Sequence, residues 1–129
     1  MTALDERAHI TAWKAALDTP LGSWAAYDYS EVPAVTPSIY VALTVSRRFG
    51  GEPRNTGRKP ITGWRLTTLA VGRTEDECRW AREKVAGALN ELRNATLGSS
   101  LVAFESENQI EKDGDRYAGL TVWTYTTLA

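Results

Sequence analysis

The clearest pattern of apolar and polar positions lies between residues 75 and 94. The apolar residues that recur there at helical spacing are Cys78, Ala81, Val85, Ala88 or Leu89, and Leu92. A repeat of this kind predicts an amphipathic helix with one apolar face. Thr74 and Glu77 have the spacing of a capping box at its start. The helix would be about 30 Å long, and its apolar face must pack on neighbouring elements.

Strand patterns flank this helix on both sides. Residues 38–49 alternate between apolar and polar positions, and residues 63–71 form a second strand pattern. The connection between them, residues 50–62, is too short for a helical crossover, so we expect these two strands to be antiparallel. Residues 101–107 and 117–127 are the third and fourth predicted strands, separated by an Asp-Gly turn. The face of the sheet that carries Val41 and Leu43 should meet Val85 and Leu89 of the helix.

The N-terminal part of the chain predicts a further helix and a loop. Residues 3–18 have a helical pattern, while residues 19–37 are rich in proline and aromatic residues. Because few loops leave several aromatic rings exposed, we expect this segment to wrap on the domain. The prediction is one α+β domain, residues 1–129, with a ββαββ core at residues 38–127. Its sheet would be four-stranded and mostly antiparallel, with one long helix packed on a face plus the N-terminal helix.

The composition mainly excludes classes of function and location. The 129 residues are 43% apolar and 24% charged, with a net charge of −1, which gives no general attraction to nucleic acid or to acidic membranes. No apolar run approaches the roughly 20 residues that span a bilayer. The N-terminal residues lack the pattern of a signal peptide. The single cysteine excludes an internal disulfide and fits a reducing compartment.

Residue types that carry catalysis are scarce. His9 has Asp5 four residues earlier but no partner nucleophile, so we interpret it as a surface or packing residue. Cys78 lies near a helix N-terminus, which can activate a thiol, but it is on the apolar face and we expect it to be buried. No metal-ligand spacing, phosphate-binding loop or nucleophile motif is present. We therefore predict no enzymatic activity, no cofactor and no metal site.

Charged residues suggest a protein interface. Five of the fifteen basic residues fall within residues 47–59, opposed only by Glu52; they are Arg47, Arg48, Arg54, Arg58 and Lys59. Three interpretations stay open: contact with nucleic-acid phosphates, a solvated loop, or an arm that docks on an acidic patch of a neighbouring subunit. The candidate acidic patch is the region from Glu105 to Asp115. Its members Glu105, Glu107 and Glu111 are also explained by a solvated strand face.

Three segments carry a resemblance to a known family. They are YDYSEVPAVTPSIYVAL (27–43), GWRLTTLAVGRTEDECRWAREKVAGALN (63–90) and DGDRYAGLTVWTYTTLA (113–129). In these segments the chain resembles the tail terminator proteins of long-tailed, siphovirus-like phages, particularly those that infect actinobacteria. The resemblance implies a small α+β subunit that forms a ring, commonly a hexamer. It supplies no catalytic residues, and it defines no interface residue by motif.

The family role implies a set of partners and a location. The ring would cap the completed tail tube, contact the tail tube protein, and present a surface to the head–tail connector (stopper) protein. DNA would pass through its lumen without sequence-specific binding, and no membrane would be involved. The chain would be assembled in the host cytoplasm and reside in the virion, at the neck end of the tail. Two alternatives remain: a head–tail joining (neck) protein, or a ligand-binding α+β domain with Trp64 and Trp123 as cleft walls.

Overall fold

A computed structural model of the chain describes residues 6–21, 25–47 and 61–128. The elements in chain order are α1 (Glu6–Leu21), β1 (Ala25–Asp28), a 3-10 turn (Tyr29–Glu31), β2 (Tyr40–Arg47), β3 (Ile61–Gly72), α2 (Glu75–Leu89), β4 (Ala103–Glu107), β5 (Glu111–Asp113) and β6 (Arg116–Leu128). Neither helix in these ranges is long and apolar enough to cross a membrane.

All six strands belong to one sheet, in the order β1-β2-β3-β6-β4. Strands β3 and β6 form its long antiparallel centre, in register from Ile61 opposite Leu128 to Gly72 opposite Tyr117. Strand β5 pairs with β6 beyond the end of β4. The outer side of β6 is therefore covered first by β4 and then by β5.

The predicted four-stranded, mostly antiparallel sheet with one long helix is wrong. Within the described residues the sheet has six strands and is mixed, and two helices pack on it. The parallel strand β1 forms inside the segment that the sequence predicted as a wrapping loop, where Ala25–Asp28 pairs with the start of β2. Only four residues pair there, so pairing with β2 rather than any local alternation of apolar residues makes the strand. The three-residue β5 was missed for the same reason.

Helix α2 begins where its sequence predicted and ends earlier. The Thr74 hydroxyl accepts a hydrogen bond from the Glu77 N–H at 3.1 Å, which confirms the cap. The Glu77 carboxylate accepts from the Arg73 N–H at 3.2 Å, one residue before the expected position. The helix stops at Leu89 instead of continuing to residue 94, because Glu91 adopts a left-handed conformation with φ 60°. Its N–H then bonds to the Val102 carbonyl.

One face of the sheet is covered by both helices. Helix α1 packs on β1 and β2, and α2 packs on β3 and β6. The buried side chains between these layers include Trp13, Leu17, Val41, Leu43, Val45, Trp64, Leu66, Val85, Leu89, Val102, Trp123 and Tyr125. The predicted burial of Val41 and Leu43 together with Val85 and Leu89 is therefore confirmed. Burial of this apolar area is the main favourable term in folding.

Candidate functional site

The outer edge of the sheet, formed by β4, β5 and the turn after β5, is an acidic surface. Every residue of β4 and of β5 is exposed. The acidic residues between positions 103 and 115 are Glu105, Glu107, Glu111, Asp113 and Asp115, accompanied by the single cation Lys112. We call these five residues the acidic edge. Edge strands commonly carry charge, which prevents unwanted strand pairing.

Two arginines fix the position of β4. Arg65 of β3 reaches across β6 and donates to both carboxylate oxygens of Glu105, at 3.1 and 3.4 Å. Arg82 of α2 lies 3.4 Å from the Glu107 carboxylate and donates to the Asn108 carbonyl at 2.9 Å. The first pair ties β4 to the open face of the sheet, and the second ties it to the helix side. Such partly exposed pairs contribute little stability, about 0–1 kcal/mol each, but they hold the edge in one place.

A bulge in β4 presents Phe104 to the helix side. The register shifts between Phe104, which lies opposite Trp123, and Ser106, which lies opposite Val122. Because of this shift, Phe104 shares the helix-covered face with Trp123, while Ser106 lies on the other face. The two aromatic rings meet edge to face, with centroids 5.8 Å apart and planes at 83°. Even so, Phe104 remains 53% exposed.

A groove lies between α2 and β4, next to the acidic edge. It has a volume of about 480 Å³ and is lined by Ala86, Gly87, Asn90, Phe104 and Trp123. We call it the α2–β4 groove. The small residues of the helix leave it open, since a Cβ atom added to Gly87 would meet nothing within 4 Å. The groove thus combines an aromatic wall with a nearby row of carboxylates.

The basic half of the predicted interface is described only at Arg47. This residue ends β2, and its guanidinium lies 5.9 Å from the centroid of the Trp64 ring. Its backbone N–H donates to a carboxylate oxygen of Glu6 at 3.3 Å. The other predicted members, Arg48, Arg54, Arg58 and Lys59, lie outside the described residues. The structure therefore brings Glu105, Glu107 and Glu111 together on one edge and places Arg47 on β2, with β3 and β6 in between.

His9 is a packing residue, one of the two roles expected for it. It is fully buried, stacks on Trp64 with ring centroids 3.9 Å apart, and its Nδ1 is 2.6 Å from the Tyr125 hydroxyl. Burial raises the pKa of Tyr125 well above its ordinary value. The imidazole therefore lies in an aromatic cluster of the core rather than in the groove.

Cys78 is buried, as predicted. Its thiol donates to the Ala70 carbonyl at 3.2 Å. Burial raises the pKa of this thiol, and the nearby Arg82 and Arg79 offset only part of the effect. The protonated thiol is consequently favoured, which is the opposite of an activated nucleophile.

The cleft predicted between Trp64 and Trp123 is not formed as such. Trp64 is fully buried and its indole N–H donates to the Thr127 hydroxyl at 2.9 Å. Trp123 is 2% exposed, with its N–H bonded to the Thr68 hydroxyl at 3.2 Å, and it lines the α2–β4 groove. In the three described ranges, no group of three His, Cys, Asp or Glu residues is arranged to hold a metal ion.

Two features of the sequence mark the groove, although neither of them predicts it alone. Phe104 is a large apolar residue in an otherwise polar strand, and Gly87 interrupts a helix in which it costs about 1 kcal/mol relative to alanine. Either residue alone is unremarkable in a sequence. Their juxtaposition depends on the β4 bulge, which the sequence did not reveal.

Comparison with known proteins gives a likeness in fold. The chain is similar to a chain from the virion of a native gene transfer agent (GTA) particle, with a TM-score of 0.67 and 13% sequence identity. The superposition covers 96% of this chain and 92% of that one. At this level of identity the likeness shows a shared fold over nearly the whole of both chains. No protein-family model matches the sequence, and no curated protein matches it either.

Proposed function

We propose that this chain is a structural subunit of a phage-like virion. The observation that carries the proposal is the full-length fold likeness to a chain of a gene transfer agent virion. Nearly complete coverage of both chains matters, because a shared subdomain alone would say little about the role of the whole subunit. The sequence resemblance to phage tail proteins points in the same direction independently of the fold.

The more specific proposal is a tail terminator. Copies of the chain form a ring, commonly a hexamer, at the head-proximal end of the tail tube. There the ring stops polymerisation of the tail tube protein and offers a different surface to the head–tail connector. DNA passes through the lumen without sequence-specific contacts. The chain acts by binding alone, without catalysis, cofactor or metal.

The distribution of charge supports a ring of identical copies. A closed ring needs two different surfaces that complement each other, repeated at every junction. The acidic edge supplies one such surface, and the basic residues within 47–59 supply the other. Charged contacts of this kind set the register and the rate of association more than the affinity, and salt weakens them.

A head–tail joining protein is the alternative that shares most of this support. It would have the same neighbours but would sit on the head side of the neck, and the fold likeness to a virion chain favours neither position. A ligand-binding role has less support, because Trp64, one of its two expected walls, is buried in the core.

Deletion of the gene from the phage-like particle tests the proposal. If the chain is a terminator, deletion should produce heads without tails and free tails of abnormal length. Both are visible by negative-stain electron microscopy. Restoring the gene in trans should restore whole particles. Free tails of normal length beside empty necks would instead indicate a joining protein. Normal particles after deletion would overturn the virion role.

Reversal of charge in the basic segment tests how the ring assembles. Exchanging Arg58 and Lys59 for Glu should impair ring formation or docking to the tail tube, without lowering the melting temperature of the monomer. If these residues instead contact DNA in the lumen, docking should remain intact while packaging or ejection fails. The single exchange Arg58→Lys, with Lys59 retained, keeps the charge and serves as the matched control.

A further inference from the structure

We propose that the α2–β4 groove of one copy receives the basic segment, residues 48–60, of the next copy. Phe49, the only aromatic residue in that segment, would enter the groove beside Phe104, and the cations of the segment would face the acidic edge. This inference rests on the proposed ring, and it names the two surfaces that meet at each junction.

The groove has room for an external occupant. Gly87 lies within α2, where glycine lowers helix stability relative to alanine. Nothing inside the described chain requires the glycine, because an added Cβ would meet no atom within 4 Å. The glycine thus leaves this part of the helix surface uncovered, with room for a second molecule to approach. Phe104, half exposed at the opposite wall, supplies an aromatic surface for that approach.

Charge complementarity selects the occupant. The acidic edge beside the groove carries five carboxylates and one lysine between positions 103 and 115, and two of these carboxylates, Glu105 and Glu107, already pair with arginines of the same chain. The proposed occupant, residues 48–60, carries four cations and one carboxylate, Glu52. The two stretches therefore have net charges of opposite sign. An aromatic anchor surrounded by charged rim contacts is the usual anatomy of a specific protein interface.

The proposed ring, rather than the sheet topology alone, makes a second copy the expected donor. The segment leaves the sheet between β2 and β3, whereas the groove lies beyond β6, next to β4 on the far side. A head-to-tail ring repeats one junction between neighbouring copies, and in the proposed ring the segment of one copy meets the groove of the next at that junction. The chain's own groove is only two strand spacings, about 10 Å, from β3. The experiment must therefore separate docking on a neighbour from docking within one chain.

The first test fills the groove. Gly87→Met places a flexible side chain in the open space, so the monomer should fold with an equal or higher melting temperature. Association measured by light scattering after size exclusion should weaken at least tenfold. Glu83→Met adds the same side chain at an exposed position of α2 outside the groove, and it should associate as the unchanged chain does. Unchanged association of Gly87→Met would overturn the proposal.

The second test identifies the donor by disulfide cross-linking. Phe49→Cys and Gly87→Cys are prepared as separate chains, mixed and mildly oxidised; Cys78 is buried and gives little background. In the mixture a cross-linked heterodimer is expected. Neither variant should give a cross-linked dimer when it is oxidised alone. A third chain carries both substitutions. If this chain forms an internal cross-link while the mixture of single variants gives no heterodimer, the segment occupies its own groove and the proposal is overturned. The absence of any cross-link at the highest attainable concentration would also overturn it.

These outcomes are distinguishable from failure of the proposed function. Particles carrying Gly87→Met should show the terminator defect in tail length. Normal particles with Gly87→Met, combined with defective particles after deletion of the gene, would overturn the groove proposal and leave the virion role standing.

Discussion

Substitution of Leu89 by Ala gives the sharpest test of how the helix packs on the sheet. Leu89 is the last residue of α2 and is fully buried in the main apolar cluster, which also contains the strand residues Leu66 and Trp123. Truncation removes three side-chain carbons and leaves a cavity that the packed neighbours fill only partly. The expected loss in the free energy of unfolding is about 2–5 kcal/mol. For a chain of this length that corresponds to a decrease of about 7–18 °C in melting temperature.

Urea denaturation followed by tryptophan fluorescence measures this loss directly. The midpoint should fall while the slope stays constant, which shows that stability rather than compactness has changed. Leu101→Ala is the matched control, because Leu101 is 48% exposed and its truncation should cost far less. The measurement is made at low protein concentration, so that association does not add to stability. A loss below about 0.5 kcal/mol for Leu89→Ala would place this side chain at the surface and refute the packing.

Three further predictions concern stability. Gly72→Ala should destabilise by about 1–3 kcal/mol, because the new Cβ would lie 2.6 Å from the backbone nitrogen of Cys78, whereas Gly87→Ala should be neutral or stabilising in the same thermal melts. Thr74→Ala should cost about 1 kcal/mol by removing the cap of α2, and Thr74→Ser should retain most of that stability. Burial raises the pKa of Tyr125 and of the Cys78 thiol, so the folded chain keeps protons that the unfolded chain loses. The free energy of unfolding should therefore fall as pH rises above about 8.5, and more steeply above about 10. Tyr125→Phe should flatten the upper part of this decline. If the pH profile of Tyr125→Phe were unchanged, the burial of Tyr125 would be contradicted.

The sequence predicted best where a pattern extends over many residues. The apolar repeat and the capping box of α2 located its start and its buried face, and the alternation of β2 identified Val41 and Leu43 as core residues. These features succeed because local hydrogen bonding and side-chain periodicity agree with the tertiary packing.

The failures come from short elements that only tertiary contacts create. Strand β1 has four residues and β5 has three, too few for any period to show. The end of α2 was misplaced because Glu91 turns left-handed and pairs with Val102, a contact from a later part of the chain. Because β5 was not predicted, the sequence could indicate a group of acidic residues but not that they lie along one edge of the sheet.

The candidate site was predictable only in its charges. Glu105, Glu107 and Glu111 were identified as acidic residues of one region, and the structure places them on a single exposed edge. The α2–β4 groove was not predicted, because Phe104 and Gly87, which both line it, are far apart in the sequence and the β4 bulge affects where Phe104 lies. Pockets formed between distant segments leave no periodic trace in the chain.

Cryo-electron microscopy of the neck of the particle tests the central claim most directly. The proposed function predicts density for a closed ring of this chain at the head-proximal end of the tail tube, between the last tube ring and the connector. Its absence from the particle, or its location on the head side of the connector, would contradict the assignment as a tail terminator.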